Sequence, residues 1–130
     1  LGLPKGHHKM THDKSKGHWQ EWGQYDEWLT QQFSYFVQRM SDTQDEHGSL
    51  LDNTLILYGS GTSNTHNARN YPLILAGGNN LGVKHGAYHV FDEKEPMCNL
   101  FVSMLNSVDI PTEQFGDSTG PLSAIFNQTT

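Results

Sequence analysis

Two uninterrupted apolar runs, TLILY (54–58) and PLILAGG (72–78), constrain the fold more than any other feature of this chain. Both are short, rich in leucine and isoleucine, and bounded by turn-forming residues, a pattern that predicts β-strands. Neither alternates apolar with polar residues, so both predict strands covered on both faces, as in α/β proteins. Between them lies GSGTSNTHNARNY, which contains almost nothing that could enter a core. A structureless connection of that length is uncommon in a compact domain, and is either functional or a long solvated link.

The flanking sequence predicts helices. Trp22, Tyr25, Leu29, Phe33, Phe36, Val37 and Met40 recur at three- and four-residue steps, which lays one apolar stripe down a long helix starting at His18. Gly48 reads as its C-cap. Trp19, Trp28 and Tyr35 fall beside the stripe and widen the core face, meet another subunit, or stack on a ligand. Residues 1–17 show no periodicity and read as an irregular N-terminal arm. GAYHVF (86–91) predicts a third, more exposed strand. Pro96 suits the first position of a second helix, in which Met97, Leu100, Phe101, Met104, Leu105 and Val108 face the core. The tail from Pro111 reads as a loop with a few apolar anchors.

The expected fold class is therefore α/β: a small mixed or parallel sheet flanked by a long N-terminal helix and a second helix, with 18–130 as a single domain. Two helices give little cover for two strands buried on both faces. The chain is expected to be part of a larger α/β domain, or to hide a face against another copy of itself. It begins LGLPKG without a methionine, which adds to the expectation of a longer parent chain.

Charge and cysteine content narrow the partners. Eight Lys and Arg against fourteen Asp and Glu, net −6, provide no basic footprint for nucleic acid or an anionic membrane. No apolar run approaches the ~20 residues that cross a bilayer. The single cysteine, Cys98, has no internal disulfide partner and sits in the helical pattern MCNLFVSML, where a packed thiol is expected.

Few local motifs carry chemistry. Tyr58-Gly59-Ser60-Gly61 lacks the outer glycines of a nucleophile elbow, and no Gly-Lys-Ser/Thr follows to make a phosphate loop. GDSTG (116–120) has the look of a protease nucleophile region, but it stands in a tail with no double-barrel pattern before it. The eight histidines are unevenly placed: His7, His8, His12 and His18 near the start, His47 at the expected helix end, His66 in the long loop, and His85 and His89 around the expected third strand. Neutral imidazoles together with Asp13 suit zinc or another borderline metal. HHKMTHD is expected to offer neither the i, i+4 helical histidine pair of a zincin nor a carboxylate between its histidines. The competing reading is solvated, titrating surface histidines. In the long loop, Ser60, Thr62, Asn64, Asn67 and Arg69 are candidate ligand-binding residues at a strand's C-terminal end, where α/β proteins bind ligands.

Taken together, GSLLDNTLILYGSG, the His-Asn loop into YPLILAGG, FVSMLNSV and FGDSTGPL resemble the C-terminal part of a bacterial family known as domain of unknown function 1552. The similarity covers essentially the whole chain. Members of that family are secreted and longer, which implies a periplasmic or secreted parent. More distantly the family is similar to the sulfatase and alkaline-phosphatase superfamily, whose members hydrolyse sulfate or phosphate esters with divalent metals. The resemblance implies that the nucleophile lies outside this chain, and that a strand-end Asp-His metal pair follows Tyr58. Here Gly59-Ser60-Gly61-Thr62 stands in its place. The metal set it implies is His12, Asp13, His66 and His89, for zinc, manganese or calcium. The alternative is a non-catalytic binding or assembly module.

Overall fold

A computed structural model describes residues 2–13, 17–63 and 66–127. It contains three α-helices, α1 (His7–His12), α2 (His18–Asp42) and α3 (Cys98–Ser107), and four strands, β1 (Gln44–Asp45), β2 (Gly48–Ser49), β3 (Leu55–Gly59) and β4 (Leu73–Gly77), with a 3-10 turn at Asn79–Leu81. The strands form two separate two-stranded sheets, β1–β2 and β3–β4.

Both apolar runs become strands, and their register explains why they are apolar throughout. They pair antiparallel, with Leu55 opposite Gly77, Leu57 opposite Leu75 and Tyr58 opposite Ile74. Residues directly opposite share a face. Leu55, Leu57, Leu73 and Leu75 therefore lie on one face, where they pack against a core of Leu100 from α3, Phe126 from the tail and Val83 from the segment after β4. Ile56, Tyr58, Ile74 and Ala76 lie on the other, where the Tyr58 ring stacks on Phe33 of α2 at a centroid distance of 4.3 Å. The hairpin is thus the middle layer between α2 and α3.

Several expectations need correction. The sheet is antiparallel and not parallel or mixed; the connection 60–72 carries no helix among its described residues, and a parallel pair would need a crossover. GAYHVF is no strand; Tyr88 and Val90 are 91% and 80% exposed, so the alternation had no partner to pair with. The long helix ends at Asp42, where the Thr43 N–H and hydroxyl both donate to Arg39 O, at 3.1 and 2.8 Å. Gly48 instead serves the β1–β2 hairpin at φ 112°, in a turn where the Asp45 carboxylate accepts the His47 N–H at 2.8 Å. The N-terminal arm is not irregular throughout, since α1 occupies part of it.

Two polar clusters hold the layers in place. The Asp52 carboxylate accepts the Ser49 hydroxyl and the Asn79 amide, each at 2.6 Å, and so ties the turn before β3 to the turn after β4. These bonds hold the Asp52 carboxyl below its ordinary pKa. On α3, buried Asn99 accepts the N–H groups of Thr119 at 2.7 Å and Gly120 at 3.3 Å, and donates to Glu95 and Thr119. One turn on, Ser103 Oγ accepts the Leu122 N–H at 2.7 Å. FVSMLNSV and FGDSTGPL therefore belong to one structural unit, with the helix holding the tail. Ser118 is buried, with its hydroxyl taking the Phe115 N–H at 2.8 Å, which makes GDSTG a turn and not a nucleophile.

Candidate imidazole site

The six residues of α1 put His8 and His12 one turn apart on the same face, with ring centroids at 4.7 Å. His66, from the β3–β4 loop, brings its ring to 5.0 Å from His12. Three imidazoles thus stand in a row, two from the helix and one from the loop. The loop backbone is constrained there: His66 holds φ at 64°, a left-handed conformation uncommon for a residue with a side chain. The Ser63 N–H donates to Asn67 O at 2.7 Å and closes the turn that carries it.

Packing against α2 sets the position of α1. Lys5 lies between the Asp13 carboxylate, at 2.5 Å, and Glu21 in the first turn of α2, at 3.2 Å. The two carboxylates raise the lysine pKa above its ordinary value, Asp13 through the larger share. The His7 ring rests on Trp22 at 5.3 Å and Tyr25 at 4.8 Å. Asp26, on the same helix, is partly desolvated, which raises its pKa, and the nearby His7 charge offsets part of that shift. Met10 is the buried residue of α1, while His7, His8 and His12 are all exposed.

The remaining candidates divide. Asp13 is next to His12 in sequence but its carboxylate is engaged by Lys5. His89 lies on the irregular segment after Gly86, with its ring against Phe91 at 5.9 Å. Ser60 donates to Thr62 O at 2.8 Å and accepts the Thr62 N–H at 3.2 Å, so these two residues form a turn of their own. Asn67 contributes its carbonyl to the Ser63 turn, and Arg69 is exposed. Asn64 lies outside the described residues. His85 has a structural role, donating from Nε2 to Gly77 O at 2.7 Å at the end of β4.

The donor set decides which metal it could suit. Imidazole nitrogens match zinc and related borderline ions, whereas calcium takes oxygen ligands. Among the described residues, no three His, Cys, Asp or Glu side chains converge closely enough to hold an ion by themselves. His12 and His66 thus amount to part of a coordination sphere. An open recess of about 270 Å³ lies between α3 and the tail, lined by residues that include Ser103, Asn106, Ser107 and Leu122, none of which belongs to the imidazole row.

His8 was absent from the sequence-derived ligand set. Its spacing of four residues from His12 is the signal that could have found it, once α1 is a helix. Among the described residues, no helix is long and apolar enough to cross a membrane. Comparison of the chain with protein-family models, curated proteins and solved structures finds no match.

Proposed function

We propose that this chain is the C-terminal portion of a larger sulfatase-like or phosphatase-like α/β domain, and that His12 and His66 supply part of its divalent-metal site. The observation that carries this reading is the 5.0 Å approach of two imidazoles from separate parts of the chain. The contact joins two separate parts of the chain, and one of its imidazoles is carried on a left-handed backbone. His8 lies beside the pair as a third imidazole in the row. A bound divalent ion polarises an ester oxygen and lowers the pKa of a bound water. Zinc fits these donors best, and the substrate class is a sulfate or phosphate ester. The reading also assigns the parent a periplasmic or secreted location.

Within this chain, the residues position and do not attack. Lys5 and His7 fix α1 on α2, α1 presents His12, and the Ser63–Asn67 turn presents His66. The Arg69 guanidinium and the Thr62 hydroxyl, on the same loop, offer donors to an anionic ester, and the Ser60 hydroxyl shapes the turn beside them. The attacking group belongs to the remainder of the domain.

Calorimetric titration with zinc, manganese and calcium on the wild type and His66→Ala tests the metal site. Saturable zinc binding that is lost in the variant supports it. Zinc binding indifferent to His66, or none, removes it. A parallel screen of the full-length parent against sulfate and phosphate esters tests the reaction.

The alternative reading, a binding or assembly module without catalysis, draws on a different observation. The chain exposes 9404 Å². A folded monomer of its 14.6 kDa exposes roughly 6,900 Å². That excess suits a surface meant to be covered.

A further inference from the structure

The three histidines of α1 do different work. The His7 ring rests on Trp22 and Tyr25 of α2, at 5.3 and 4.8 Å, and so anchors the helix. His8 and His12, one turn apart, have ring centroids 4.7 Å apart, and the His66 ring of the β3–β4 loop stands 5.0 Å from that of His12. All three residues of this row are exposed.

Those separations match the spacing of imidazoles on a single ion. An imidazole bonded to zinc through one nitrogen, at about 2.0–2.1 Å, has its ring centre about 3.2 Å from the ion, so two ligands of a tetrahedral ion have ring centres about 5 Å apart. Histidines at i and i+4 on one helix face are a zinc-binding pair in their own right. As the rings stand, three donors do not converge on one point. Convergence requires rotation about side-chain torsions only, and exposed side chains change rotamer within picoseconds to nanoseconds. The neighbouring carboxylate, Asp13, is engaged by Lys5 instead.

We propose that His8, His12 and His66 together ligate one zinc ion, so that this chain holds the metal itself and the ion pins α1 to the β3–β4 loop. The inference rests on the metal reading of His12 and His66 and extends it: His8 takes the place of Asp13 and His89 in the set that the family resemblance implies. Three protein nitrogens leave one tetrahedral position for an oxygen ligand, the arrangement of catalytic and not of structural zinc sites. A sulfate or phosphate ester oxygen suits that position. Because the donors come from two separate segments, binding also couples the order of the helix to that of the loop.

Zinc calorimetry on the wild type, His8→Ala, His12→Ala, His66→Ala and the control His47→Ala tests the proposal. Proton–nitrogen correlation spectra of the wild-type imidazoles are recorded beside it, since ring nitrogen signals move on metal ligation. The expected result is one ion per chain, bound about tenfold or more weakly by each of the three row variants. His47→Ala, whose exposed ring lies by Glu46, should bind as the wild type does. In the spectra the signals of His8, His12 and His66 should move together at one equivalent of zinc. Binding that needs His12 and His66 but not His8 overturns the three-imidazole site and leaves the two-histidine reading standing. Binding that needs only the helical pair, or no saturable binding, overturns both. If a variant fails to fold, the wild-type spectra decide, and movement of fewer than all three ring signals overturns the proposal.

Discussion

Asn99 on the first turn of α3 receives the backbone N–H of Thr119 at 2.7 Å, and through this bond the helix fixes a tail twenty residues away. The amide is buried, and the same oxygen takes the Gly120 N–H. Replacing it with alanine removes the acceptor of both backbone donors and with it the tie between helix and tail. Asn99→Ala should cost about 1–2 kcal/mol, the range for lost hydrogen bonds, measured by denaturant unfolding. Asn99→Asp keeps the acceptor but sets a carboxylate against Glu95, which now accepts the Asn99 amide at 2.5 Å. It should be destabilised at neutral pH and partly recover in acid.

That residue also marks the limit of what the sequence shows. The strands follow from their continuous apolar runs, and the start of α2 and the apolar face of α3 from periodicity, because burial leaves a pattern. Asn99 and Ser103 look like ordinary surface residues by type. Only their spacing of four inside MCNLFVSML hints that a polar pair occupies one line of the helix. α1 was invisible for another reason: six residues are too few to show a period, and helices that short are held by tertiary contacts such as His7 on Trp22. Without the helix, His8 and His12 could not be read as neighbours. GAYHVF failed in reverse, since alternation predicts a strand only where a partner edge is available.

Asp52 gives a pH prediction with a definite sign. Its bonds to Ser49 and Asn79 depress the carboxyl below the ordinary 3.8 in the folded chain. Its contribution to stability is then fully present above the unfolded pKa and is lost as pH falls through the depressed folded value. Stability of the wild type should drop more steeply below pH 4 than that of Asp52→Asn. Thermal melts from pH 2.5 to 6 check this, and parallel curves would count against it.

Cys98 should be a slow thiol. Its bond to the Asp117 side chain raises the pKa above the ordinary 9.0. Alkylation proceeds through the thiolate, so at pH 8 the reactive fraction is small. Asp117→Asn removes the carboxylate and should speed iodoacetamide labelling and move its pH profile to lower pH. An unchanged profile would show that exposure, not charge, sets the rate.

Gly77 is required by its surroundings. Its φ is 76°, and a Cβ there would lie 2.2 Å from Thr54 O and 2.6 Å from Leu51 O, both backbone atoms with no freedom to retreat. Gly77→Ala should destabilise the hairpin by more than the ~1 kcal/mol expected of a left-handed alanine alone, because the clash adds to the strain. Gly61→Ala, with nothing within 4 Å of its Cβ, is the matched control and should be near neutral by thermal unfolding.

His66 allows backbone and side chain to be separated. At φ 64° a non-glycine residue carries strain of about 1 kcal/mol. His66→Gly relieves that strain while deleting the imidazole; His66→Ala deletes the imidazole and keeps the strain. If the ring is a ligand, both variants should lose zinc affinity to a similar degree in calorimetry, although the glycine form is the more stable of the two or its equal. If the loop's shape is what matters and the ring is incidental, the glycine variant should bind as the wild type does. His12→Ala should then behave like the His66 variants only in the first case, since the two rings meet at 5.0 Å and share one ion or none.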